Sequence, residues 1–248
     1  MSRRIAILFA ILAAAAMHSA GAADAVAIGV DAENPPFMYV SEGRAAGLYP
    51  AIIAAAFAQM GQAANIEAKP WKRCLRETDD GKAGIGGIYK NEERLKKYDF
   101  SEPIFVEKMA VYFNRANPLV FHAVTDLAGK RVGVIRGWSY GDTFDQAVRD
   151  GRITVDEVAS DAMNFKKLLA GRVDAVLAID EAGVYQLDSG QFDGVEKSGP
   201  YLFQKATYLA FSKQAKQAGL LARFNKVIDD MRKSGKLGRI ASAELGRQ

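Results

Sequence analysis

The sequence predicts an α/β protein in which strand and helix alternate through two successive rounds. Three observations carry that expectation. β-Branched runs such as "VAIGVD" (26–31) and "RVGVIRG" (131–137) are each followed by a segment of helical periodicity. Such alternation is the pattern of parallel strands covered by helices. The rhythm stops after a strand at 109–115 and restarts past residue 116, as it does in a chain folded into two lobes.

Residues 26–31 read as a strand that ends at "AENPPF", where two prolines force an extended loop. In "GLYPAIIAAAFAQMG" (47–61), Leu48, Ile52, Ala56 and Met60 share a helical face and Gly61 is the stop. A strand near "NIEAKPW" (65–71), a short helix over 72–82 and a strand at "AGIGGIY" (83–89) follow. Asn91 is then a good N-cap, with Glu92 and Glu93 placed where the helix dipole favours carboxylates and Lys96 and Lys97 four residues beyond them. Arg94 breaks the pattern. A capping box has Glu or Gln at that third helical position, and a cation there opposes the dipole.

The second round opens with the turn "TDLAGK" and the strand 131–137, and continues with a helix over 141–151 and a strand at 153–159. Asp161 is expected to cap a helix over 162–172, and "DAVLAID" (174–180) reads as a buried strand. A strand at 206–213 leads into a helix with Leu220, Leu221, Phe224, Val227, Ile228 and Met231 on one stripe.

Composition removes several function classes. Residues 1–22 read as a secretory leader: "MSRR" is a positive n-region, "IAILFAILAAAAM" an apolar stretch short for a bilayer, and Ala20-Gly21-Ala22 a small-x-small cleavage pattern. The mature protein is expected to start near Ala23 and to be soluble in the periplasm. The chain carries 33 basic and 29 acidic residues; the leader holds Arg3 and Arg4 and no acid, leaving 31 against 29 and a net charge of +2. The basic residues are scattered, so neither nucleic acid nor a membrane surface is an expected partner. Cys74 is the only cysteine, which rules out an internal disulfide. His18 lies in the leader and only His122 remains, too few for a zinc site with two histidines. No metal or cofactor is expected. "GIGGIY" lacks the third glycine of a dinucleotide fingerprint and "GWSYGDT" lacks the Gly-Lys-Ser/Thr of a P-loop, so both read as tight turns. Gly137 to Gly141 still precede a helix N-terminus, where free backbone N–H groups bind anions.

The runs "VAIGVDAENPPF", "PWKRCL", "GIYKNEERLKKYDFSEPI", "DLAGKRVGVIRGWSYGDTF" and "GRVDAVLAIDEAGVYQL" together resemble, in order and over nearly the whole mature chain, the periplasmic solute-binding proteins for polar amino acids of the extracellular family 3 type. The resemblance implies a two-lobe periplasmic-binding-protein type II fold with two hinge strands, placed in "MAVYFNR" and "ATYLAFSK". Lobe one would hold residues 23–113 and 206–248, and lobe two residues 114–205. It implies a monomer that captures a small carboxylate ligand and delivers it to the inner-membrane permease of an ATP-driven transporter.

The resemblance also gives Arg94 a role, as a bidentate clamp on the ligand's α-carboxylate, for which a planar guanidinium is suited. Trp71 matches an aromatic wall, Gly86, Gly87 and Tyr89 a backbone stretch that hydrogen-bonds the ligand, and Ser139 a hydroxyl at the start of a lobe-two helix. Two positions depart from the family pattern. Asn34 stands where many relatives have an aromatic residue. The aspartate that receives the ligand ammonium belongs at the position of Ile179, with Asp180 one residue late, and a small bulge before Asp180 would return it to the cleft. Two other functions fit the same scaffold: a cyclohexadienyl dehydratase, with Glu33 or Glu181 as general acid, and a ligand sensor acting through a separate receptor.

Overall fold

The computed structural model describes residues 25–246; the leader and its cleavage point lie outside the described residues. The first half runs β1 (Val26–Asp31), β2 (Glu33–Asn34), β3 (Met38–Ser41), β4 (Arg44–Ala46), α1 (Leu48–Gln59), β5 (Ala64–Lys69), α2 (Trp71–Asp79), β6 (Gly84–Ile88), α3 (Glu92–Lys97) and β7 (Tyr98–Phe100). Then come β8 (Phe105–Asn114), β9 (Arg131–Ile135), α4 (Asp142–Arg149), β10 (Thr154–Val158), α5 (Asp161–Leu169), β11 (Ala175–Ile179), α6 (Asp180–Asp188) and β12 (Val195–Ser212). Two helices, α7 (Ala218–Lys233) and α8 (Lys236–Glu244), close the chain.

Two parallel triplets form the lobes. β1 lies between β5 and β6, and β9 lies between β10 and β11. The two are joined through β8 and β12, an antiparallel pair running from Val195 opposite Asn114 to Thr207 opposite Phe105. Beyond that point β12 leaves β8 for β6 and β7, while Met109–Tyr112 of β8 pair with β11. The two strands therefore cross from one sheet to the other side by side. The sequence hid most of β12, because Gly199 and Pro200 interrupt it; the pairing with β8 shifts register across that stretch.

The apolar α1 buries Leu48, Tyr49, Pro50, Ile52, Ile53, Ala56 and Phe57, a wider face than the stripe its spacing suggests. It packs between the sheet and the C-terminal helices α7 and α8, and a helix covered on several sides needs no polar face.

Three local expectations change. Ser160, not Asp161, is the N-cap of α5: its side chain accepts the Met163 N–H at 3.4 Å, and Asp161 becomes the first helical residue and is buried. Trp71 opens α2 instead of ending a strand, with Pro70 as the N-cap in an extended conformation (φ −52°, ψ 130°). The bulge before Asp180 is absent. β11 keeps an unbroken register from Val176 opposite Tyr112 to Ile179 opposite Met109, and α6 starts at Asp180.

Candidate functional site

The site grows from the turn that follows β6. Gly87 sits there at φ 75°, and a Cβ on it would come within 2.7 Å of the Tyr49 ring, so glycine is required. The chain then reaches Asn91, whose side chain accepts the Arg94 backbone N–H at 2.8 Å and caps α3. With the backbone satisfied, the Arg94 side chain turns inward and is only 8% exposed. Its guanidinium donates to the Tyr89 carbonyl at 3.1 Å and, across the lobes, to the Gly137 carbonyl at 3.4 Å. No carboxylate lies within ion-pair distance of it among the described residues. Burial pulls the guanidinium below its ordinary pKa, against the opposing pull of Tyr98, Asp145 and Glu93.

The facing wall is the turn between β9 and α4. Gly137 adopts φ 80°, which brings its carbonyl toward lobe one, where it also accepts the Trp71 indole N–H at 3.1 Å. Trp138 reciprocates by donating its indole N–H to Asp31 at 3.0 Å. The two indoles meet edge to face with centroids 6.3 Å apart, a favoured aromatic geometry. Lys72 and Glu157 add an ion pair of 3.7 Å across the same mouth. The anion-binding turn expected at 137–141 already has an internal occupant, because the Asp145 carboxylate accepts the Ser139 hydroxyl at 2.6 Å and the Tyr140 N–H at 2.9 Å.

Trp71, Gly87, Tyr89, Arg94 and Ser139, all singled out from sequence, line one cavity together with Trp138 and Glu107. Its free space is about 10 Å³, room for a single water, and the contacts across the mouth hold the lobes shut over it. Asn34 and Asp180 are not among the residues that line it. Asn34 is buried in β2, its side-chain amide without a hydrogen-bond partner among the described residues. Asp180 accepts Lys197 Nζ and the Tyr201 hydroxyl, each at 2.7 Å. Burial opposes ionisation of Asp180, but those two donors prevail and hold its carboxyl below the usual range. It faces a separate depression, with Pro36 and Tyr39.

Glu107 escaped the sequence reading. It lies on β8, 1% exposed, and accepts the hydroxyls of Tyr49 and Tyr89. Burial pushes its carboxyl up to about 8 in spite of both donors. The signal that could have found it is strand alternation: Val106 and Lys108 face solvent, so Glu107 shares the inward side with Met109. Two more acids are raised by burial, Asp31 to about 6 and Asp161 to about 7.

Two α/β lobes on a pair of crossing strands, shut over a cavity that holds an arginine with no acidic partner among the described residues, define a hinged binding protein for small molecules. The chain belongs to the bacterial extracellular solute-binding proteins, family 3, whose family profile matches residues 26–246. It is 25% identical over 222 residues to the L-cystine-binding protein TcyJ of Escherichia coli, covering 88% of this chain and 82% of that one. It is 26% identical over 257 residues to the L-arginine-binding protein of Pseudomonas aeruginosa, covering 96% and 95%. Among solved structures, a histidine kinase sensor domain with similarity to periplasmic binding proteins superposes with a TM-score of 0.80 at 21% identity, over 90% of this chain and 96% of that one.

Proposed function

We propose that the protein captures an amino acid or a related small carboxylate in the periplasm, with Arg94 as the carboxylate clamp, and presents it to the permease of an ATP-driven importer. The observation that carries this reading is the buried guanidinium, whose hydrogen bonds among the described residues go to two backbone carbonyls and to no acid. An enclosed cation without an acid is costly, and an entering carboxylate removes that cost. The cystine- and arginine-binding relatives support an amino acid as the ligand class. We take the lobes as 23–113 with 206–248, and 114–205, with the first crossing drawn back toward Phe105, where β8 begins to pair with β12.

Capture is the whole reaction in this reading. Glu33 is exposed, and Glu181 lines the depression around Asp180, not the cavity of Arg94. Incubation with prephenate and arogenate should give no turnover, and measurable dehydration of either would replace the binder with an enzyme. The binding test is a thermal-shift screen against amino acids, opines, polyamines and small carboxylates, followed by calorimetry on each hit. A ligand that binds only the folded state raises its melting temperature. Arg94→Lys keeps the charge but loses the planar fork, and should weaken carboxylate hits at least about tenfold. Wild-type affinity in that variant would remove Arg94 from the site.

A further inference from the structure

The cavity poses a chemical question that Arg94 alone does not answer. An α-amino acid brings an ammonium as well as a carboxylate, and closure strips water from both. Asp180 does not meet that need, because it is engaged by Lys197 and Tyr201 and lies outside the cavity. Asp31 is held by the Trp138 indole and the Glu33 N–H, and Asp145 by Ser139 and Tyr140. Among the described residues only one acid lines the cavity, and that is Glu107.

We propose that Glu107, from the crossing strand β8, is the anion that receives the ligand's α-ammonium while Arg94 holds its carboxylate. This rests on the function proposed above. The two charged ends of a zwitterion would then meet one buried group of opposite sign each, so the closed cleft gains no net charge from its ligand. Tyr49 of α1 and Tyr89 after β6 hold the Glu107 carboxyl from two sides and fix its position before a ligand arrives. The titratable groups that face it are those two tyrosines and Glu181 of α6, with Arg94 on the wall of the same cavity. Burial keeps the carboxyl protonated near neutral pH when nothing opposes it. An ammonium beside it reverses the preference, so capture of an amino acid releases the Glu107 proton to solvent.

The test uses matched ligands that differ only in the ammonium: L-cystine against dithiodipropionate, and L-arginine against guanidinovalerate. Wild type should bind at least one of the amino acids about a hundredfold more tightly than its deaminated partner, the ratio expected for a buried charge left unpaired. Glu107→Gln should erase that ratio by weakening the amino acid and leaving the deaminated acid within about threefold of its wild-type affinity. Calorimetry of the wild type at pH 7, in two buffers of different ionisation heat, should show a proton released with the amino acid and none with the deaminated acid. This second readout needs no variant and holds even if Glu107→Gln fails to fold. Equal wild-type affinity for both members of each pair, no binding of either amino acid, no proton release, or selectivity that persists in Glu107→Gln would each overturn the proposal. Carboxylate binding that survives Arg94→Lys would instead sink the clamp, which keeps the two failures apart.

Discussion

Trp138 shows how one side chain couples the lobes without needing a ligand. Its indole N–H reaches the buried Asp31 of the opposite lobe, and the ring packs against Trp71 and Tyr140. Trp138→Phe keeps most of the packing and deletes the donor, leaving an Asp31 oxygen unsatisfied only when the lobes are closed. The loss of such a bond is about 1–3 kcal/mol, and because the free protein makes the same contact, its melting temperature should fall by a few degrees along with ligand affinity. Calorimetric titration beside a thermal melt reads both, and an unchanged melting temperature would mean that the free protein does not hold the contact. Legibility differed sharply at this scale. Arg94 could be read because it violates a local helix rule, and the violation needed an explanation. Glu107 was legible only as an inward strand position between Val106 and Lys108; that the inward side there is sealed from water follows from Tyr49 of α1 and Tyr89 after β6, which alternation along β8 does not reveal.

Among the elements, α3 is the most exposed to a single change. It is six residues long, and Asn91 caps the backbone N–H of Arg94, the residue proposed as the clamp. Asn91→Ala should cost about 1 kcal/mol of stability and, by loosening the turn under Arg94, reduce carboxylate affinity as well. Asn91→Ser, another good cap, should restore both; a variant that recovered stability without affinity would mean that the amide itself serves the ligand. The pairing of Glu93 with Lys97 at 2.8 Å was legible from their spacing. The start of α5 was not, because Ser160 and Asp161 are both competent caps and sequence does not rank two such neighbours. The Asp180 register was equally undecidable, since a bulge depends on the partner strand, and β8 turned out to match β11 residue for residue.

For the molecule as a whole, alternation of strands and helices was enough to expose two lobes, while the crossing strands were only partly visible. β8 begins at Phe105 and β12 at Val195, both ahead of the runs that looked most like strands, because hinge segments pair with each other and need no apolar alternation to do so. The buried acids give the whole protein a pH signature. Folded Asp31, Asp161 and Glu107 keep their protons to about 6, 7 and 8, well above their values of 3.8, 3.8 and 4.5 when unfolded. Between those limits folding takes up protons, so stability is greatest near the acidic end and declines as pH rises, by up to about 1.4 kcal/mol per pH unit for each group still titrating. Melts of the free protein should fall from pH 5 to pH 8, and Glu107→Gln should flatten the upper part of that slope; a melting temperature that climbs across the window would contradict the burial of these acids. The contacts across the mouth, Trp71 to Gly137, Trp138 to Asp31 and Lys72 to Glu157, are made by the protein with itself, so they favour the shut form whatever lies inside it. Shape is then an imperfect report of cargo, and a transporter that recognises only the shut outline would also dock unloaded copies, whose futile visits compete with loaded ones when nutrient is scarce.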